Sequence, residues 1–177
     1  MKNKQQPLNG TKTGKGAVLS LHQLFFNSLK DIYGAEKTLV KELPEMMEKA
    51  SSPNLQSAIA DHLAITENQV LRLEKIFDLL EEKPESEKCE ALSGILKERN
   101  KMFEQTVTGP VRDAAIIASA QKIEHYEITS YGTLLAFAKV LGENDVAKLL
   151  RQTLAEELES DKILTDVANI SINTEAL

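Results

Sequence analysis

Tryptophan is absent from this chain, cysteine occurs once, at Cys89, and glycine and proline are scarce at 8 and 5 of 177 residues. A single cysteine forms no intrachain disulfide and fits a reducing compartment, so a cytoplasmic protein is expected. With few helix breakers, the elements between turns must be long. No apolar run approaches the roughly 20 residues that cross a bilayer, and the N-terminus lacks the apolar segment of a secretory signal. Positive charge is also in deficit. A formal net charge of −6 and a pI near 5.2 argue against a general nucleic-acid binder or a protein held on anionic membranes.

Hydrophobic residues make up 42% and charged residues 27%, the balance of a globular chain long enough to bury its own core. Long stretches rich in Ala, Leu, Glu and Lys favour helix. Residues 1–17 lack hydrophobic periodicity and read as a tail; their Gly10-Thr-Lys-Thr-Gly-Lys-Gly16 run lacks the spacing and the preceding strand of a phosphate-binding loop. A first long helix is expected over about 20–49, with Pro44 loosening or kinking a turn. Ser51-Ser52-Pro53 ends it and starts a second, which runs to about 82. After Pro84 a shorter helix spans about 87–106, and Thr108-Gly-Pro110 opens a third long helix that ends at Gly142. A fourth, capped by Asn144 or Asp145, ends near 168. The domain is expected to cover 18–170, with 171–177 a C-terminal tail.

Two antiparallel hairpins joined by a short crossover segment make an all-α, ferritin-like four-helix bundle, in which metal sites are built from inward carboxylates and histidines. The stripes at helical spacing carry acidic interruptions. Phe25, Leu29, Ile32, Glu36, Leu39, Leu43 and Met47 form one stripe. Ile117, Ala120, Glu124, Glu127, Tyr131, Leu134 and Ala138 form another, and Leu150, Leu154, Glu157, Asp161, Leu164 and Ala168 a third. On the second helix Leu55, Ile59, His62, Thr66, Gln69, Leu73 and Ile76 are polar at their centre. Counting from the turns places these interruptions at one depth. The expected polar layer contains Glu36, His62, Thr66, Gln69, Glu124, Glu127, Glu157 and Asp161.

A buried ionised carboxylate must find a cation or a donor, take up a proton, or reach water. Oxygen ligands with one imidazole suit iron, manganese or another divalent ion. The competing readings have Glu124, Glu127 and Glu157 paired with Lys122 or Arg151, Glu36 paired at the surface with Lys37 or Lys41, and His62 a hydrogen-bonded core histidine. Tyr131 and Tyr33 are candidate donors to the carboxylates. Phe25, Phe26, Met46 and Met47 read as apolar surface for self-association.

Asp31-Ile-Tyr-Gly-Ala-Glu-Lys37, His62-Leu63 with Thr66 and Gln69, Val111-Arg-Asp-Ala-Ala115, Ile123-Glu-His-Tyr-Glu-Ile128, Tyr131-Gly-Thr-Leu134 and Leu154-Ala-Glu-Glu157 resemble the DUF892 family of ferritin-like, stress-associated bacterial proteins, close to its YciF type. The resemblance implies a helical, homodimeric, cytoplasmic protein linked to stress responses, with no established reaction. The Glu124-x-x-Glu127 pair and its distance from Glu157 are also similar to rubrerythrin-type di-iron proteins, which implies a di-metal centre acting on dioxygen or peroxide. Against those patterns, Ser160 stands where a fourth-helix histidine is expected, with Asp161 beside it. His62-Leu-Ala-Ile-Thr66 replaces His-Leu-Glu-Glu-Thr, so Ile65 takes the place of a bridging carboxylate and leaves His62 or Glu67 as substitutes. The alternative is a structural or stress-interaction module with a degenerate site.

Overall fold

The computed structural model describes residue 18 and residues 20–177; the tail expected at 1–17 and its glycine-rich run lie outside them. Four long helices carry the fold: α1 (Leu21–Lys49), α2 (Pro53–Leu79), α4 (Pro110–Leu141) and α5 (Asn144–Val167), with the shorter α3 (Glu90–Gln105) between the pairs. Among the described residues there is no strand. Neighbours around the bundle are α1 with α2, α2 with α5, α5 with α4 and α4 with α1, while α3 lies outside against α4. No helix of the described residues is long and apolar enough to cross a membrane.

The sequence explains where the helices begin and end. Ser20 caps α1 by accepting the Gln23 N–H at 3.1 Å. Pro44 sits inside α1 and the helix continues through it to Lys49. Pro53 occupies the first turn of α2, where its missing N–H costs nothing. Gly142 closes α4 in the left-handed region at φ 84, a conformation most side chains resist. The hairpin turn after α1 is held from across the bundle, because the Asp113 carboxylate accepts the Ser51 N–H at 2.7 Å and the Ser52 N–H at 2.8 Å. That contact places the start of α4 beside the α1–α2 turn, so α3 returns the chain along the length of the bundle.

The return begins with a close passage over α1. Glu87 donates its N–H to the Lys30 carbonyl at 3.1 Å, and the Lys30 ammonium meets Glu85 at 2.7 Å. A Cβ on Gly34 would stand 1.8 Å from the Glu87 carbonyl oxygen, so only glycine lets the loop pass. On α3, the fully buried Arg99 reaches Glu42 of α1 at 2.7 Å and lies over the Phe103 ring at 5.5 Å.

Apolar layers fill the bundle at both ends. Leu43, Met46, Leu55, Ile59, Ile117 and Leu164 pack towards the Asp113 end, and Phe25, Leu29, Leu73, Ile76, Ala138 and Leu150 towards the Gly142 end. Each such Leu or Ile contributes roughly 1.5–3 kcal/mol by burial. Phe25 and Met46 belong to this core, and Phe26 and Met47 pack partly against it. The surface expected from these four for self-association is therefore largely spent within the chain. On α1 the buried stripe steps from Leu43 to Met46 and passes over Met47. At the other terminus a π-helical turn (Ala168–Ile172) and a short α6 (Asn173–Glu175) continue α5, and Ile172 is buried. Residues 171–177, expected as a tail, thus include a core contact.

Candidate metal centre

The stripes of α2 and α4 are buried over their whole length, which brings their polar centres into the bundle. Glu36, His62, Thr66, Gln69, Glu124, Glu127, Tyr131, Glu157 and Ser160 make the layer, all less than a tenth exposed. Ligand-type atoms of His62, Glu124, Glu127 and Glu157 lie within 4.8 Å of one another. Donors bound to one small divalent ion at about 2.1 Å sit no more than about 4.2 Å apart, so slight contraction would bring this quartet onto a single ion.

Their hydrogen bonds leave the group short of positive charge. Tyr131 donates its hydroxyl to Glu36, and the Gln69 amide donates to Glu157. One oxygen each of Glu36, Glu124 and Glu157, both oxygens of Glu127 and the Gln69 carbonyl are buried without a partner. Among the described residues no lysine or arginine pairs with these four carboxylates. Lys122 instead meets Glu98 at 2.7 Å, Lys37 lies over the Tyr33 ring at 4.9 Å, and Arg72 pairs with Glu156 at 2.6 Å on the rim.

Electrostatics follows from that shortage. Burial, then the Glu157 charge, holds Glu36 and Glu124 well above the ordinary carboxylate range. Glu127 is raised in the same way by burial and then by Glu36. Burial also lifts Glu157 to about 7, although hydrogen bonding with the Glu124 carboxyl and then the Gln69 amide oppose the shift. His62 is pushed down to about 4 by burial alone, so it is neutral at neutral pH. Its Nε2 therefore lies 3.3 Å from a Glu124 oxygen as an uncharged neighbour and not as an ion-pair partner. On the far side of the ring, Nδ1 lies 3.1 Å from the Ser160 hydroxyl. With the proton on Nδ1 donated to Ser160, the Nε2 lone pair faces the carboxylates, the tautomer a metal requires.

Two of the expected ligands lie elsewhere. Glu67 is exposed and flanks a surface groove beside Lys37, Lys41 and Val70, because one residue beyond Thr66 turns its side chain about 100° away from the core. Asp161 stands at the edge of the layer, held by Gln121 at 3.1 Å and 3.5 Å from His125. Ser160 takes the inward position expected of Asp161, and Thr153 that of Leu154. Tyr33 donates to Glu74 at 2.8 Å, away from the layer.

Sequence reasoning missed Asp113, Arg72 and the network around Cys89. Cys89 is buried, with its thiol 3.1 Å from the Tyr126 hydroxyl, which donates to Asp31 at 2.7 Å. Burial raises the Cys89 pKa and keeps the thiol protonated. The Ile123–Ile128 segment, with Tyr126 beside Glu127, and the segment that begins at Asp31 each carried one member of that network.

The sequence profile described as Domain of unknown function (DUF892) matches residues 20–177. The chain belongs to the DUF892 family. It is 40% identical over 158 residues to Protein YciF of Escherichia coli strain K12, covering 89% of this chain and 95% of that protein. The solved structure of the E. coli stress protein YciF superposes with a TM-score of 0.84 at 40% identity, over 88% of this chain and 99% of that one. YcfI from Rhodopseudomonas palustris, whose description proposes a structural role, superposes equally well at 0.84 with 37% identity, over 86% and 97% of the two chains. A protein from Xanthomonas campestris pv. campestris shares the DUF892 fold at TM-score 0.71 and 22% identity, over 88% and 95%. These relatives extend across the whole bundle, so the polar layer lies within the shared fold.

Proposed function

We propose that the protein is a stress-associated metalloprotein that binds iron or manganese in the carboxylate layer. The observation that carries this reading is the set of buried, unpartnered oxygens on Glu36, Glu124, Glu127 and Glu157, the last three clustered with His62. A purely structural layer would leave these groups at a cost of a few kcal/mol each. A divalent cation offsets that cost. His62, Glu124, Glu127 and Glu157 would hold one ion. Glu36, close enough to Glu157 and Glu127 to share their charge, would extend the site to a second.

Iron or manganese, when bound, supplies one-electron exchange with dioxygen or peroxide. The chain's own residues would hold and move protons. Tyr131 keeps one Glu36 oxygen oriented, Gln69 does the same for Glu157, and Ser160 sets the His62 tautomer. Glu157, lifted to about 7 in the metal-free protein, would give up its proton to a cation near neutral pH. The stress association is supported by the likeness to YciF.

The second reading, a structural module, draws on the half-buried Ile65, which contributes no carboxylate, and on the description of YcfI. Metal analysis of protein purified without chelator, followed by thermal midpoints with manganese or anaerobic ferrous iron, separates the two. Metal should raise the midpoint, and Glu124→Gln should lose most of that rise while the exposed Glu81→Gln retains it. No rise with either metal gives the structural reading.

A further inference from the structure

Beside the layer, between α1, α2, α4 and α5, lies a cavity of about 60 Å³ that the proton and metal chemistry leaves unused. A single water needs about 10–15 Å³ of such space, so the cavity is large enough for a small molecule. Nine of its thirteen lining residues are aliphatic or methionine, among them Ile59, Ile65, Ala120, Ile123 and Leu164. Water inside would find few partners along these walls, and empty apolar cavities stay dry. The polar groups are confined to its ends. Asp61 is exposed and Ile163 is 42% exposed at the outer end, while His62, Glu124 and Ser160 form the inner one. The mostly apolar lining thus extends from exposed Asp61 and Ile163 to buried His62 and Glu124 of the layer.

We propose that this cavity binds a small, neutral, apolar molecule of the size and polarity of dioxygen and delivers it to the His62–Glu124 edge of the layer. Charged or strongly hydrated solutes are excluded by desolvation, since the walls offer no compensating hydrogen bonds. Ala120 and Ala58 provide the width, because their small side chains leave space that a longer residue would fill. Binding itself depends only on the cavity; delivery for chemistry rests on the metal-centre reading above.

Xenon is the probe. Crystals of the full chain pressurised with xenon, and xenon NMR in solution, should show one site in this cavity with or without manganese. Ala120→Leu should lower xenon affinity at least tenfold, and Ala58→Met at the rim gives a second filled variant should the first fail to fold. Under limiting dioxygen the ferrous iron oxidation rate of a filled variant should fall about tenfold, with the manganese-induced midpoint shift unchanged. Absence of xenon from the cavity would overturn the proposal, as would an unchanged oxidation rate in a variant that no longer takes up xenon. Xenon binding without any metal-induced shift upholds the binding site and overturns the metal centre instead.

Discussion

Asp113 and Glu127 are acids on the same helix, 2% and 1% exposed, with opposite surroundings. Each oxygen of Asp113 accepts a backbone N–H from the turn into α2, whereas neither oxygen of Glu127 has a partner. The first is a structural acid: its charge is used to fix the entry of another helix, where N–H groups are otherwise unpaired. The second sits among three further carboxylates, and among the described residues no lysine or arginine forms an ion pair with any of the four; Arg72, paired with Glu156, only lowers Glu36 and Glu157 from a distance. Equal burial therefore says little about role; the satisfaction of the oxygens separates a group that holds the fold from one whose oxygens are left open.

The contrast is broken most severely at Asp113. Asp113→Ala frees two backbone donors and should destabilise the protein by about 3 kcal/mol, equally with and without metal, as read by urea denaturation. An effect that disappears on adding manganese would show that the two acids are not independent.

Next in size is the pH dependence of the metal-free protein. Glu157 is raised to about 7 by burial, and Glu36, Glu124 and Glu127 are raised further by burial and mutual repulsion. Between the unfolded carboxylate range and these folded values the native state binds more protons. Stability is then fully present below about pH 4.3 as far as these groups are concerned and is lost as pH rises. Glu157 alone should cost the metal-free protein roughly 2 kcal/mol between pH 5 and pH 8, and the three groups raised further add to that loss. Manganese should flatten that slope by taking the place of the protons, with protons released on binding. Chelator-treated samples titrated by thermal denaturation would show it; a midpoint rising over that range would remove the electrostatic basis of the site.

Glu127→Gln sharpens the comparison from the other side. It removes an ionisable group with unpaired oxygens while keeping the shape, so metal-free stability should stay within about 1 kcal/mol of the parent or improve. The manganese-induced rise should shrink strongly. Denaturation with and without manganese measures both, and a loss comparable to that of Asp113→Ala would mean that Glu127 has a structural role after all. Smallest is Tyr131→Phe, which removes the hydroxyl from Glu36 and should cost about 1 kcal/mol, measured by the same melts.

Helix existence, chain order and the exterior place of α3 were legible in the sequence. So were the full stripes of α2 and α4, because apolar residues recurred at three and four with polar ones at a single depth. On α5 the pattern admitted two choices. A step of three or of four keeps a residue on the same face, and Leu154 and Asp161 looked as suitable as Thr153 and Ser160. Packing against α2, through Arg72 on Thr153 at 2.7 Å and His62 on Ser160 at 3.1 Å, decides for the second set. Glu67 and the expected surface of Phe25 and Met46 were lost for the same reason, since a face is known only once its neighbours are in place.

By itself, then, the sequence determined an acidic all-α chain whose long helices each carry polar residues inside an apolar stripe. Periodicity is local, and local geometry alone turns Glu36, His62, Glu124, Glu127 and Glu157 inward. Only the tertiary structure decided which of them share one space and that, among the described residues, no lysine or arginine pairs with them. It also decided that Asp113 is spent on a distant turn and that an apolar cavity opens onto His62. Those outcomes depend on the register and rotation of one helix against another, set by packing across the whole bundle, and no short stretch of chain encodes them.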